Sequence, residues 1–122
     1  MKNISPHVEI YKFPVTALSS ITNRITGLYL TGIFIGSGIS GITENDIVNI
    51  YNKSDANYKR IFDFSLVLSG SYHTFGGIRH FIWDKYPSLL NNYLTLRSSQ
   101  ILFLSSIMSS ILIDRIIHKR VK

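Results

Sequence analysis

His73, Arg79, His80 and Asp84 fall within twelve positions of one apolar stretch, SYHTFGGIRHFIWD at residues 71–84. Ionisable groups inside a membrane are costly and usually line a functional interior. A neutral imidazole is also a standard axial ligand for haem iron. On an α-helix His73, Gly77 and His80 share a face, with Gly76 beside it, so a flat ring has bare backbone to lie against. Seven residues rise about 10.5 Å along a helix, whereas two axial nitrogens on one iron sit about 4 Å apart. One helix therefore supplies one of the two ligands. His73 lies deeper in the stretch and is the candidate for iron. His80 and Arg79 lie nearer the membrane face, where haem propionates would seek positive charge. His7 and His118 stand near the chain ends, so a sixth ligand would come from another subunit. Spacing alone fits a second role equally well: His73 as a hydrogen-bonded polar residue joining helices.

The second constellation is ALSSITNRITG, residues 17–27. Ser20 and Arg24 are four apart and stack on one helix face. A hydroxyl and a guanidinium at the bilayer edge suit an amphipathic ligand with a carbonyl head and a lipid tail, such as a quinone. The hydroxyl can donate to a carbonyl oxygen, and the cation favours the charge that develops on reduction. The same pair also reads as an interfacial anchor, with Arg24 reaching lipid phosphate and Ser20 capping a helix.

These residues need long apolar elements to hold them. The chain has 122 residues, 45% hydrophobic and 16% charged, against roughly 25% charged in soluble domains. No Asp, Glu, Lys or Arg occurs in residues 25–43, 64–78 or 98–113. A membrane-spanning helix needs about 20 mostly apolar residues. The expected fold is all-α, with three transmembrane helices at about 20–43, 61–83 and 99–117. An irregular N-terminal arm at 1–19, carrying Pro6 and Pro14, precedes a membrane-anchor domain at 20–122. Pro87 and the Asn91–Asn92 pair are expected to break the helix across 85–97. Helices of a small soluble bundle would carry charges on one face at helical spacing, and these runs carry none. Gly32 and Gly36, and Ser37 and Gly41, stand four apart in the first span, a spacing that lets helices approach closely in lipid. Partner helices are implied, in this chain or another.

Cysteine is absent, which excludes disulfides, thiolate-held iron–sulfur clusters and covalent haem attachment within this chain. No dinucleotide-binding or P-loop glycine pattern occurs. The net charge is +6, yet the basic residues sit at span ends and in the tail (Arg115, Lys119, Arg120, Lys122), where lipid headgroups explain them better than nucleic acid. The first 24 residues read as neither a secretory signal nor a transit peptide.

SPHVEIYKFPVTALSSITNRITG (5–27) and YHTFGGIRHFIWD (72–84) resemble the cytochrome b large membrane-anchor subunit of succinate dehydrogenase, respiratory complex II. The family pattern is an S-P-H-x-x-I-Y arm, an S-I-x-H-R-x-T-G helix start and H-x-x-x-G-x-R-H-x-x-x-D closing the second span. The resemblance implies a chain that pairs with a second small anchor subunit in a heteromeric helix bundle. Together they would hold haem b and dock the iron–sulfur subunit, which takes electrons from the flavoprotein that oxidises succinate. Ubiquinone would be the substrate reduced nearby. By position His73 matches the axial iron ligand, and the partner anchor subunit would give the other axial histidine. Ser20 and Arg24 match the quinone site, and His80, Arg79 and Arg24 the haem edge. The chain departs from the family at Asn23, where histidine is usual. Asn cannot titrate, so proton delivery would run through water or another subunit. The implied location is the mitochondrial inner membrane, multi-pass, with the bacterial inner membrane as the alternative. The rival from another class is a non-redox membrane scaffold or transporter subunit that uses His and Arg to bind partners.

Overall fold

The computed structural model describes residues 13–43 and 47–120, and these residues are almost wholly helical. Helix α1 runs Val15–Thr43, a short α2 Ile47–Lys53, α3 Ala56–Lys85 and α4 Asn92–Arg120, with one 3₁₀ turn at Pro87–Leu89. At 1.5 Å per residue the three long helices reach about 45 Å each. Helix α3 lies centrally and packs against both α1 and α4.

Local chemistry sets the boundaries. Helix α1 starts at Val15, five residues earlier than expected, so the end of the arm is helical and not irregular. The Pro14 carbonyl accepts the amides of Ala17 and Leu18 at 3.0 and 3.2 Å. A proline just ahead of a helix costs nothing there, because its missing N–H would find no partner. Residues 1–12 of the expected arm lie outside the described residues. Helix α3 ends before Tyr86, which precedes Pro87 and has φ −131° and ψ 76°, as the clash with the proline ring requires. The Asn91–Asn92 pair begins α4 and does not break it. Asn91 Oδ1 accepts the Leu94 amide at 2.8 Å and the Asn91 carbonyl accepts the Thr95 amide at 2.9 Å, an N-cap.

The burial pattern is inverted relative to a water-soluble bundle. Tyr72 and Leu102 are the buried large hydrophobics among the described residues, while Ser19, Thr26, Arg79, Ser99, Ser106 and Ser110 are buried polar ones. Leu28, Phe34 and Ile42 stand 74%, 73% and 84% exposed. In lipid, apolar side chains gain little by facing inward, and small residues let helices approach. The Ser-rich run of α4 is therefore its inner face. Ser106 and Ser110 lie one turn apart, and their hydroxyls donate to the Leu102 and Ser106 carbonyls of their own helix at 2.6 Å.

Helices α1 and α4 are each long and apolar enough to cross a membrane. Helix α3 has the length but carries Asp63 and Arg79 inside its expected span. The 15 charge-free residues between them rise only about 22 Å, short of the roughly 30 Å hydrocarbon core. Helix α2 docks on the start of α3. Tyr51 donates to the Asp63 carboxylate at 2.8 Å, and the Tyr51 and Phe62 rings lie 6.0 Å apart.

Candidate functional site

Helices α1 and α3 run antiparallel. Tyr29 meets Ser65 at 2.7 Å, and Asn23 meets His73 farther along α3. This register brings Ser20, Arg24, His73 and His80 towards one end of the bundle.

His73 sits in a seat made by α1. Its Nδ1 lies 3.1 Å from the Asn23 carbonyl. A carbonyl only accepts, so Nδ1 is the donor, and in the neutral ring that tautomer leaves the lone pair on Nε2. Bonds of this kind fix the tautomer of metal-bound histidines. The ring lies over Gly27, where an added Cβ would stand 2.8 Å from Cε1 and 3.3 Å from Nδ1. Only glycine leaves room for the imidazole at that distance. The His73 side chain is nonetheless exposed on the bundle surface. Among the described residues no three His, Asp or Glu converge on a metal site, so the arrangement offers one aromatic nitrogen and not a multidentate cage.

The two glycines of the motif divide. Gly76 is buried under the Asn23 side chain, and an added Cβ would lie 2.9 Å from Asn23 Cγ. Gly77 has open space around it and remains the bare place on the outer face. The Asn23 amide is held in this wedge with its Oδ1 buried and without a hydrogen-bond partner. The glycine stripe of α1 is unfilled by this chain: added Cβ atoms at Gly32, Gly36 and Gly41 would meet nothing within 4 Å. Its packing surface faces outward.

The expected haem-edge pair also divides. His80 stays on the exposed side, edge-on to Trp83 at 5.4 Å. Arg79 turns the other way, towards α4, where Nη1 donates to Ser99 Oγ at 2.9 Å. Adjacent helical positions point about 100° apart, so Arg79 and His80 do not share a face. Ser20 is half-buried, and Arg24 and Asp84 are exposed. His7 lies outside the described residues.

Several contributors were not legible as site residues. Tyr72, next to His73, donates to Ser19 Oγ and to the Ser19 carbonyl at 3.0 and 3.1 Å. The Ser19–Ser20 pair was a usable signal, because neighbours on a helix point about 100° apart and so serve different faces. Gly27 and the Asn23 carbonyl gave no comparable signal.

The family model for the succinate dehydrogenase/fumarate reductase transmembrane subunit matches residues 1–113. The chain is 35% identical over 85 residues to the mitochondrial succinate dehydrogenase cytochrome b560 subunit of Dictyostelium discoideum, covering 66% of this chain and 44% of that protein. It is 36% identical over 90 residues to the succinate dehydrogenase cytochrome b560 subunit of Reclinomonas americana, covering 66% of this chain and 62% of that one. Over 117 residues it is 27% identical to the mitochondrial cytochrome b560 subunit of Sus scrofa, covering 88% of this chain and 67% of the relative. The matched stretch thus spans less than half of the Dictyostelium protein and less than two-thirds of the Reclinomonas one. Motifs, inverted burial and the match along nearly the whole length agree: the chain belongs to the succinate dehydrogenase/fumarate reductase transmembrane subunit family.

Proposed function

We propose that this chain is a membrane-anchor subunit of a succinate:ubiquinone oxidoreductase. It holds a b-type haem jointly with a second small anchor subunit and forms part of the site where ubiquinone is reduced. The electrons come through an iron–sulfur subunit from the flavoprotein subunit that oxidises succinate, so this chain is not catalytic alone. Its place is the mitochondrial inner membrane, as the names of the Dictyostelium and Sus scrofa relatives favour. The third crossing is α3 over residues 61–83. Of its two awkward charges, Asp63 is met by the Tyr51 hydroxyl, and Arg79 in part by a hydrogen bond to Ser99 and the face of Trp83.

The single observation that carries the reading is the seat of His73. The Asn23 carbonyl sets the tautomer, Gly27 clears the ring, and Nε2 is left to bind iron on an exposed face beside Gly77. A bound haem would supply one-electron storage at that face. His80 and Arg24, at the same end of the bundle, would hold its carboxylates. Arg79 was expected with them, but its turn towards α4 leaves it outside this cradle. Ser20 donates to a quinone carbonyl, and Arg24 stabilises negative charge on the reduced oxygen. Asn23 takes no part in proton transfer, because its amide does not titrate and is packed under Gly76.

The test is to purify the complex carrying His73→Ala. The bis-imidazole haem spectrum should vanish, and a normal spectrum would remove His73 as the ligand. Ser20→Ala and Arg24→Ala should lower quinone reduction while succinate oxidation by an artificial acceptor survives. Equal loss of both activities would mean that these residues serve assembly.

A further inference from the structure

A groove of about 480 Å³ opens between the end of α3 and the start of α4. Its walls are apolar, with Phe75 and Ile78 on α3 and Leu94 and Ile101 on α4. Two cations, Arg79 and Arg97, also line it. Arg79 is only 9% exposed. It makes one hydrogen bond, to Ser99, and its Nε is buried without a partner. Its charge rests on the face of Trp83, 4.5 Å from the ring centroid. Arg97 lies 5.5 Å from the centroid of Tyr93. Among the described residues neither arginine has a carboxylate partner. A buried guanidinium with five donors and no counter-charge is expensive at membrane depth.

We propose that this groove binds one anionic phospholipid, with its phosphodiester between Arg79 and Arg97 and an acyl chain along the apolar wall. Charge complementarity selects the occupant. A phosphodiester accepts charge-assisted bonds from both guanidiniums. A choline lipid brings its own cation to the site, and a neutral quinone brings no charge. Free inorganic phosphate would leave the apolar wall uncovered. Trp83 and Tyr93 flank the two guanidiniums near the ends of their helices, the positions that interfacial aromatics favour. The proposal needs α3 and α4 in a membrane and does not depend on haem or quinone binding.

The test adds dioleoylphosphatidylglycerol or dioleoylphosphatidylcholine to the delipidated complex in neutral detergent and counts retained lipid by native mass spectrometry. The wild-type complex should retain phosphatidylglycerol in preference to phosphatidylcholine. Arg97→Gln and Arg79→Gln should each weaken that retention roughly tenfold, the loss of about one charge-assisted hydrogen bond. Phosphatidylcholine, whose phosphodiester is offset by its own cation, should be held weakly from the start and lose less, so that the preference for phosphatidylglycerol shrinks. Arg97 is exposed and makes no bond across the helix interface, so its variant keeps the test decisive if Arg79→Gln fails to assemble, as judged by size-exclusion elution. Equal phosphatidylglycerol retention in the wild type and Arg97→Gln would overturn the proposal. So would displacement of the lipid by a ubiquinone analogue at equimolar amounts.

Discussion

Helix α3 presents two polar faces that do opposite things. Towards α1 it offers His73 and Gly76, and around them the contact is made by glycines and a backbone carbonyl, with hydroxyl bonds at Tyr72–Ser19 and Tyr29–Ser65. Towards α4 it meets buried serines, whose hydroxyls are largely satisfied within their own helix. The α1 side ends with an aromatic nitrogen unspent on an exposed surface. The α4 side is closed by serines over its middle and opens at both ends, at the Arg79 groove and between Arg60 and Arg115. The difference teaches that polar residues in a membrane bundle are not one class. A hydroxyl bonded to the carbonyl four residues back is packing material. An imidazole whose Nδ1 is tied to a neighbouring helix is held with its outer Nε2 turned away from that bond.

The comparison breaks most readily at Gly76. Gly76→Val places branched carbons where the Asn23 side chain sits and should separate α1 from α3, at a cost of about 3 kcal/mol, the upper range for overpacking. The melting temperature of the detergent-purified complex should fall clearly. A matching Gly77→Val should leave the helix packing of this chain intact, because nothing lies within 4 Å of its Cβ. Equal effects at the two glycines would refute the assignment of one inward and one outward face.

Gly27→Ala is gentler and more local. Its Cβ would lie 2.8 Å from His73 Cε1, so the ring must shift and its bond to the Asn23 carbonyl must lengthen. The expected cost is about 1–2 kcal/mol, with haem absorbance lowered more than helix content by circular dichroism. Haem absorbance equal to wild type would show that the Gly27 seat does not position the ligand.

Tyr72→Phe removes the buried bond to Ser19 and leaves that hydroxyl without its α3 partner. About 1 kcal/mol of stability should be lost, while the haem spectrum keeps its shape. A changed spectrum would mean that the two α1 contacts are not separable.

The smallest effect is expected at the far end. Asp63 accepts the Tyr51 hydroxyl, and this bond, more than burial, raises the tyrosine pKa above its ordinary 10.0. A donor held in its neutral form stabilises the fold below the unfolded-state value and loses that contribution as pH rises through the folded value. Tyr51→Phe should therefore cost about 0.5–1 kcal/mol at neutral pH, and the difference from wild type should shrink above pH 10 in thermal melts. A gap that widens with pH would contradict the hydrogen bond.

Much of the architecture was legible because lipid leaves a one-dimensional signature. Charge-free runs at 25–43 and 98–113 announce α1 and α4 without any knowledge of packing. Helix ends were harder. Asn91 read as a breaker because Asn disfavours helix interiors, yet as an N-cap the same side chain starts α4. Both are local effects of one amide, and the choice depends on whether the next residues continue the helix. The site was legible as residue types. That His73 and His80 share a face follows from helical periodicity. That Arg79 does not join them follows from the same arithmetic, but sequence proximity concealed it.

By itself the sequence determined which stretches can live in lipid and which side chains carry chemistry, since hydropathy and helical spacing are properties of the chain alone. The tertiary structure decided how those side chains are used. The Asn23 carbonyl belongs to every residue type, and Gly27 matters only because His73 reaches it from another helix. Contacts between residues some fifty positions apart depend on register and depth, which local sequence does not encode.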